Sequence, residues 1–245
     1  MICAMSVTAR AVARGGPKRV TKAATAHNGR AATAFKARNP TQQLLVDMLR
    51  GPGGPVIVVA TGAAGTGKTL CAAAVGVSQL LRGAVSKIVI ARPAVSSGEE
   101  HGFLPGDIVA KMAPWARPVT DSLLKARVTP EELQGMLSED VIELCPLAYC
   151  RGRTFERSWM MLDEAQNCTS DQVLMFMTRI GEGSTLVITG DTEQSDLGPT
   201  NGLADLLRRL GRPGGDTGRI GHVAFDSGDV VRHEVIPDVL ALYRD

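Results

Sequence analysis

Residues 62–69 of this 245-residue chain read Gly-Ala-Ala-Gly-Thr-Gly-Lys-Thr, and this stretch decides the fold. It matches the pattern G-x-x-x-x-G-K-[ST], in which a glycine-rich turn points its backbone N–H groups at phosphate oxygens. From the composition of the chain we expect only ~0.01 chance matches to this pattern. The stretch therefore predicts a loop that binds nucleotide phosphates.

A buried strand and a helix flank this loop, as phosphate binding requires. Residues 55–60 form a continuous apolar, β-branched run, which is typical of a strand covered on both faces of a parallel sheet. An Ala- and Leu-rich helix runs from the loop to about Arg82 and adds the positive end of its dipole. Lys68 would then reach the β- and γ-phosphates, and the Thr69 hydroxyl would hold Mg²⁺. The predicted nucleotide-binding residues of the loop are Gly62, Ala63, Ala64, Gly65, Thr66, Gly67, Lys68, Thr69 and Leu70.

Two carboxylates end a second apolar strand, predicted at 159–162. Asp163 and Glu164 follow it directly, 94 residues after Thr69. In P-loop enzymes an acid at the end of a strand holds Mg²⁺, and the next carboxylate can orient and deprotonate an attacking water. We therefore assign Asp163 to the metal and Glu164 to catalysis. The alternative is an acidic, solvated helix N-terminus.

A third predicted strand, at 185–189, ends at Gly190 and Asp191. Gln194 follows it and could hydrogen-bond the γ-phosphate or the lytic water, so that hydrolysis moves its loop. The alternative is a polar loop in which Asp191 caps a turn.

Further strands are predicted at 87–91, 141–144 and 220–225, with helices near 107–126, 130–138, 170–180, 202–210 and 237–243. A short amphipathic helix capped by Thr41 precedes the first strand. Alternation of strands and helices with short connections predicts a doubly wound α/β sheet. Ligands bind such sheets at the carboxyl ends of the strands, where the polar residues above lie.

Eight stretches, in chain order, together resemble the PhoH family. They are residues 61–69, Arg-Pro-Ala-Val at 92–95, Gly-Phe-Leu-Pro-Gly-Asp at 102–107, Pro-Leu-Ala-Tyr at 146–149, Arg-Gly-Arg-Thr at 151–154, Leu-Asp-Glu-Ala-Gln-Asn at 162–167, Thr-Gly-Asp at 189–191 with Gln194, and Val-Val-Arg-His at 230–233. The resemblance covers the chain from about residue 39 to its end, and it predicts a PhoH-like domain at 39–245 behind an arm at 1–38.

The resemblance implies a RecA-like P-loop NTPase, a mostly parallel sheet flanked by helices, similar to one core of superfamily 1 helicases. It further implies ATP hydrolysis with Mg²⁺ and a link to RNA. The strand at 185–189 would lie between the strands of the phosphate loop and of Asp163, which would put Gln194 beside the γ-phosphate. Asn-Pro-Thr-Gln at 39–42 is similar to a helicase stretch whose glutamine reads adenine, which makes Gln42 the base-reading candidate. The alternative for Gln42 is an ordinary first-turn helix residue. No nuclease or RNA-binding domain of fuller family members is recognisable, and residues 211–219 are glycine-rich.

Charge is distributed unevenly along the chain. Residues 1–46 hold eight of the 27 basic residues and no acid, which leaves 19 basic residues against 25 acidic ones, a net charge of −6, in the remainder. We expect the basic arm to be disordered, with nucleic-acid contact or organelle targeting as alternatives. The five cysteines show no zinc-binding spacing and suggest reduced thiols in the cytoplasm. No run of 18 apolar residues exists, so we expect no membrane partner.

The sequence predicts only one ATPase core, which leaves open the source of an arginine finger. Such a residue stabilises the transition state of phosphoryl transfer and can come from a neighbouring subunit. We therefore expect a homo-oligomer, a ring such as a hexamer. Arg232 is the leading catalytic candidate, ahead of Arg92 and Arg179; a structural ion pair is the alternative for each.

A basic and aromatic loop at 149–155 is the predicted contact for single-stranded RNA, because such loops track a backbone and stack a base. Lys111, Arg117, Lys125 and Arg127 would extend it. The alternative is an exposed loop with Phe155 in the core.

Three functions remain open on the sequence. The first is an ATPase that remodels or unwinds RNA. The second is a nucleotide-dependent switch or scaffold for a protein partner, with slow hydrolysis. The third, a small-molecule kinase, fits the phosphate loop but not the stretches around Glu164 and Gln194.

Overall fold

The computed structural model describes residues 35–51, 53–93, 108–126, 128–215 and 217–231. Its centre is one sheet of six strands: β1 (Ile57–Thr61), β2 (Lys87–Arg92), β3 (Ile142–Pro146), β4 (Ser158–Leu162), β5 (Thr185–Gly190) and β6 (Ile220–Ala224). Their order across the sheet is β3-β2-β4-β5-β1-β6, and every neighbouring pair is parallel. The expected α/β sheet is confirmed, and β5 lies between β1 and β4 as expected.

Six helices connect the strands within the described residues: α1 (Pro40–Arg50), α2 (Lys68–Leu81), α3 (Ile108–Lys125), α4 (Pro130–Ser138), α5 (Ser170–Met177) and α6 (Gly202–Leu210). They match the predicted helices to within a few residues. The predicted helix at 237–243 lies outside the described residues, as do most of the basic arm and the stretch at 102–107.

The N-cap of α1 is Asn39, not Thr41 as the sequence suggested. Asn39 has an extended backbone, and its side chain accepts a hydrogen bond from the backbone N–H of Gln42 at 2.7 Å. Pro40 follows at the first helical position, where its missing N–H costs nothing and its fixed φ suits the helix. The N-cap therefore lies two residues before the predicted one.

The core lies on both faces of the sheet, because successive strand residues point to opposite sides. On β4, Trp159 and Met161 pack with α1, α2, α3 and α4, whereas Met160 and Leu162 pack with α5 and α6. All four side chains are at most 1% exposed. The sheet is therefore rigid at its centre, where β4, β5 and β1 run side by side. Within the described part of the chain, no helix is long and apolar enough to cross a bilayer.

Candidate functional site

The phosphate loop joins β1 to α2 and depends on glycine at two positions. Gly62 has a φ of +136°, and a Cβ there would lie 2.4 Å from the carbonyl oxygen of Phe225. Gly67 has a φ of +89°, and its Cβ would lie 2.7 Å from the Gln42 amide nitrogen. Both positions need a left-handed backbone and close packing, which only glycine tolerates without strain.

Lys68 is the first residue of α2, and its ammonium group folds back over the loop. Its Nζ donates to the backbone oxygens of Gly62 at 2.5 Å and of Ala63 at 2.8 Å. The residue is only 8% exposed. The loop carbonyls thus stabilise a buried cation directly beside the backbone N–H groups at the start of α2.

Asp163 follows β4 and is joined to the ends of two other elements. Its Oδ1 accepts hydrogen bonds from the hydroxyl of Thr69, on α2, at 2.8 Å and from that of Thr189, on β5, at 2.6 Å. Asp163 is 3% exposed. The predicted metal pair, Thr69 and Asp163, therefore lies in direct contact.

The donor set suits Mg²⁺. Magnesium takes hard oxygen ligands, with one or two carboxylates, waters and substrate phosphates completing its octahedron. A hydroxyl and a carboxylate oxygen 2.8 Å apart, next to the phosphate loop, offer that chemistry. Within the described residues no cluster of three His, Cys, Asp or Glu forms a separate metal site.

Glu164 has a backbone conformation that non-glycine residues rarely adopt. Its φ is +59° and its ψ is +42°, in the left-handed region. Its Oε2 accepts a hydrogen bond from the side chain of Gln166 at 2.6 Å, and its Oε1 lies 3.4 Å from the guanidinium of Arg92. Such strain costs of order 1–3 kcal/mol, and it persists only where neighbouring contacts hold it. The carboxylate is 41% exposed and faces the cleft described below.

Arg92 ends β2 and contacts both acids of its own chain. Its Nε lies 3.3 Å from Asp163 Oδ2, in addition to its contact with Glu164. Arg179 also bonds within its chain, to the backbone oxygens of Met175 and Arg153. Both guanidinium groups thus make contacts within their own chain. Arg232 lies outside the described residues.

One cleft of about 430 Å³ brings most of the predicted site residues together, whereas Gly62, Ala63 and Thr66 of the phosphate loop do not line it. It is lined by Gln42, Ala64, Gly65, Gly67, Lys68, Thr69, Leu70, Asp163, Glu164 and Gln194. The cleft opens where β1, β4 and β5 end, the position at which parallel sheets bind ligands.

Gln42 is buried in this cleft with both ends of its amide bound by the chain. Its Nε2 donates to the backbone oxygen of Thr66 at 2.9 Å, and its Oε1 accepts from the backbone N–H of Arg38 at 2.9 Å. It is 2% exposed. In this structure Gln42 braces the phosphate loop, a role the sequence did not suggest.

Several cleft residues were not recognised from the sequence as site residues. Phe35 and Arg38, which we had placed in the basic arm, line the cleft, as do Pro118, Ser122, Lys125 and Val231. Lys125 was expected on the RNA surface. Val231 belongs to the Val-Val-Arg-His stretch at 230–233. No motif marks the other five residues, since they reach the site through the packing of elements distant in sequence. Lys125 and Arg38 nevertheless add positive charge where a triphosphate would bind.

The predicted RNA loop differs from the expectation at Phe155 and Arg153. Phe155 is 4% exposed, so its ring lies in the core and cannot stack on a base. Arg153 lies over this ring at 4.6 Å and makes hydrogen bonds of 2.5 and 2.9 Å to the two carboxylate oxygens of Glu143. This hydrogen bonding, with help from Lys87 and against burial, lowers the pKa of Glu143 to about 2. Tyr149, at 65% exposed, is the aromatic residue of the loop that faces solvent.

Sequence comparison places the chain among known proteins. The family model described as PhoH-like protein matches residues 34–244. The chain belongs to the PhoH-like family.

A PhoH-like protein of Bacillus subtilis is 41% identical over 189 residues, which cover 76% of this chain and 58% of that protein. Protein PhoH of Escherichia coli is 38% identical over 222 residues, which cover 89% of this chain and 60% of that protein. The chain thus spans no more than about three fifths of these relatives.

Solved structures share the fold at low sequence identity. The large terminase from a thermophilic bacteriophage matches with a TM-score of 0.54 and 12% identity, covering 86% of this chain and 51% of that one. The same terminase in complex with ADP matches with a TM-score of 0.53 and 13% identity, over 84% of this chain and 50% of that one. These matches confirm the α/β fold of the PhoH-like chain.

Proposed function

We propose that this PhoH-like chain binds ATP with Mg²⁺ and hydrolyses it, and that hydrolysis is coupled to binding or remodelling of single-stranded RNA. One observation supports this proposal most strongly. Lys68, Thr69, Asp163, Glu164 and Gln194 come from the ends of three adjacent strands and line one cleft. The thermophilic phage terminase, which has the same fold, has been solved with ADP.

The phosphate loop binds the triphosphate through backbone N–H groups and the N-terminus of α2. Lys68 exchanges its bonds to Gly62 and Ala63 for the β- and γ-phosphate oxygens, a short movement for a flexible side chain. Thr69 and Asp163 would hold Mg²⁺. When bound, the metal neutralises charge on the phosphates.

Glu164 is the general base. Its carboxylate lies beyond Asp163 on the cleft wall, where it can accept a proton from a water that attacks the γ-phosphorus. Gln194, on the loop after β5, lines the same cleft and is placed to hydrogen-bond the γ-phosphate or that water. Loss of the γ-phosphate would then release the Gln194 loop and signal hydrolysis to the rest of the domain.

RNA binding rests on the exposed part of the loop at 149–155. Tyr149 offers an exposed ring for stacking, and Arg151 adds an exposed positive charge. A ring-shaped homo-oligomer would bring Arg232 of one subunit to the cleft of the next. If RNA binds along phosphates, its affinity must fall steeply as salt rises.

A nucleotide-dependent switch with slow hydrolysis is the second candidate. The contacts of Arg92 with both acids favour it, because an arginine beside a general base restrains that base until a ligand displaces it. The two functions differ in whether single-stranded RNA accelerates turnover.

The test measures equilibrium binding of a non-hydrolysable ATP analogue with and without Mg²⁺, and then phosphate release with and without single-stranded RNA. Sizing in the presence of ATP follows assembly. We expect Mg²⁺-dependent binding and RNA-stimulated release. No affinity for the analogue in Mg²⁺ would refute the proposal, whereas binding with slow, RNA-insensitive release would favour the switch.

A further inference from the structure

Gln166 lies between the general base and the loop that follows β5. It is 2% exposed, and its amide is bound at both ends. Its Nε2 donates to Glu164 Oε2 at 2.6 Å, and its Oε1 accepts from the backbone N–H of Asp191 at 3.0 Å. A single rigid amide thus spans the distance from the catalytic carboxylate to the start of the loop carrying Gln194.

Two further hydrogen bonds join residues 166 and 167 to the loop that follows β5. The Ser195 hydroxyl donates to the backbone oxygen of Gln166 at 2.7 Å, and the Asn167 side chain accepts from the backbone N–H of Asp196 at 3.0 Å. The packing is also tight, since a Cβ on Gly190 would lie 2.7 Å from Gln166 Oε1. The loop therefore cannot shift far without moving the amide.

The backbone of Glu164 supplies an independent reason for such a brace. A left-handed conformation at a non-glycine residue needs surrounding contacts to hold it. The hydrogen bond from Gln166 Nε2 fixes the carboxylate that projects from this strained position.

We propose that Gln166 is a positioning residue that couples the Gln194 loop to the orientation of the Glu164 carboxylate. The inference rests on the proposed ATP hydrolysis and deepens it, because it explains how contact of Gln194 with the γ-phosphate would affect the orientation of Glu164. When Gln194 engages the γ-phosphate, the loop holds Asp191 and Gln166 in place, and Glu164 is aligned. When the loop moves, the donor to Glu164 moves with it.

The test removes the side-chain N–H of Gln166 that donates to Glu164 and keeps a side-chain oxygen that can accept from Asp191. In Gln166→Glu, the new side chain can still accept from Asp191 when one of its oxygens is free, but at pH 8 it presents a carboxylate to Glu164. We expect kcat to fall about 10- to 100-fold, the scale for a misplaced catalytic group, with binding of the ATP analogue within about twofold of wild type.

Two comparison variants separate positioning from folding. Gln166→Met keeps the shape but cannot donate a hydrogen bond to Glu164, so we expect the same fall in kcat with analogue binding unchanged. Gln172→Glu makes the same charge change on an exposed residue whose carbonyl oxygen accepts from the Thr169 backbone, and it should match wild type throughout. If the position-166 variants melt early, Ser195→Ala removes one tether of the loop and should still lower kcat a few-fold at unchanged analogue binding.

Wild-type kcat in Gln166→Glu, or a loss of analogue binding that matches the fall in kcat, would overturn the positioning role. A wild-type protein that binds no nucleotide or releases no phosphate would instead refute the proposed function, and this inference would fall with it.

Discussion

The contacts that Arg92 and Arg153 make with carboxylates differ in their N···O distances and in their surroundings. In the cleft, Arg92 lies 3.3 Å from Asp163 and 3.4 Å from Glu164. At the β3 edge of the sheet, Arg153 makes hydrogen bonds of 2.5 and 2.9 Å to both oxygens of Glu143. The first contact opens onto a cleft, whereas in the second the Phe155 ring packs against the guanidinium.

The difference separates groups that a ligand can rearrange from groups that hold the fold. A bidentate pair leaves little capacity for another partner. The longer contacts in the cleft leave the carboxylates able to accept metal or water when nucleotide binds. We therefore expect substitutions in the cleft to change catalysis, and substitutions at the β3 edge to change stability.

The largest effect should come from Glu164→Gln. Removing the general base lowers kcat by about 10²–10⁴-fold, because the amide cannot take a proton from water. Binding of the ATP analogue should stay within about threefold of wild type, since Glu164 is not assigned to the phosphates or the metal. Single-turnover phosphate release measures the first quantity and equilibrium titration the second.

Glu182→Gln is the matched control for this change, on an exposed acid outside the cleft. It should leave both measurements unchanged. Retained hydrolysis in Glu164→Gln would remove this residue as the base and weaken the distinction between the two regions.

Lys68→Ala should weaken ATP binding next most strongly. The loss of one charge-assisted contact to the phosphates is worth about a hundredfold in affinity, or about 2.7 kcal/mol. Lys87→Ala, which breaks contacts to Asp140 and Glu143 at the β3 edge, is the control and should keep nucleotide affinity. Titration with a fluorescent ATP analogue in Mg²⁺ distinguishes them, and equal losses would show that the cleft is not the nucleotide site.

Arg92→Ala tests whether the arginine of the cleft acts within its own chain. We expect kcat to fall by about tenfold, because the guanidinium of Arg92 contacts the two acids directly. Mixing Arg92→Ala with Lys68→Ala subunits should not restore activity, because each defect lies in the same cleft. Recovery of activity on mixing would mean that Arg92 serves a neighbouring subunit and that its contacts to Asp163 and Glu164 are not the working arrangement.

Local motifs made the phosphate loop and its two acids predictable from sequence. Spacing along one turn fixes Gly62, Lys68 and Thr69 relative to one another, and a strand end fixes Asp163. The position of β5 between β1 and β4 came from the family resemblance, and the structure confirms it.

The features that could not be predicted from the sequence depend on local proline geometry and on tertiary packing. The cap of α1 moved to Asn39 because Pro40 suits the first helical position. Lys125 and Arg38 reach the cleft from segments separated by more than 80 residues, and nothing in their local sequence marks them. The pairing of Arg153 with Glu143 likewise needs the start of β3 and the loop after this strand to meet, and it makes an expected RNA contact a structural one.

The smallest effect should come from Glu143→Gln, and it should appear in stability alone. The pKa of Glu143 is lowered from 4.5 to about 2, first by its hydrogen bond with Arg153, so its stabilisation is complete above about pH 4.5 and disappears as the pH falls toward 2. Because Arg153 is 38% exposed and screened by solvent, we expect a loss of only about 1 kcal/mol in the free energy of unfolding at pH 7. Urea unfolding at pH 7, 4 and 2.5 should show this difference shrinking as the wild type loses the same contribution, while kcat at pH 7 stays unchanged. A fall in kcat without a fall in stability would mean that the β3 edge contributes to catalysis. The distinction between the longer contacts of Arg92 and the bidentate pair of Arg153 with Glu143 would then no longer hold.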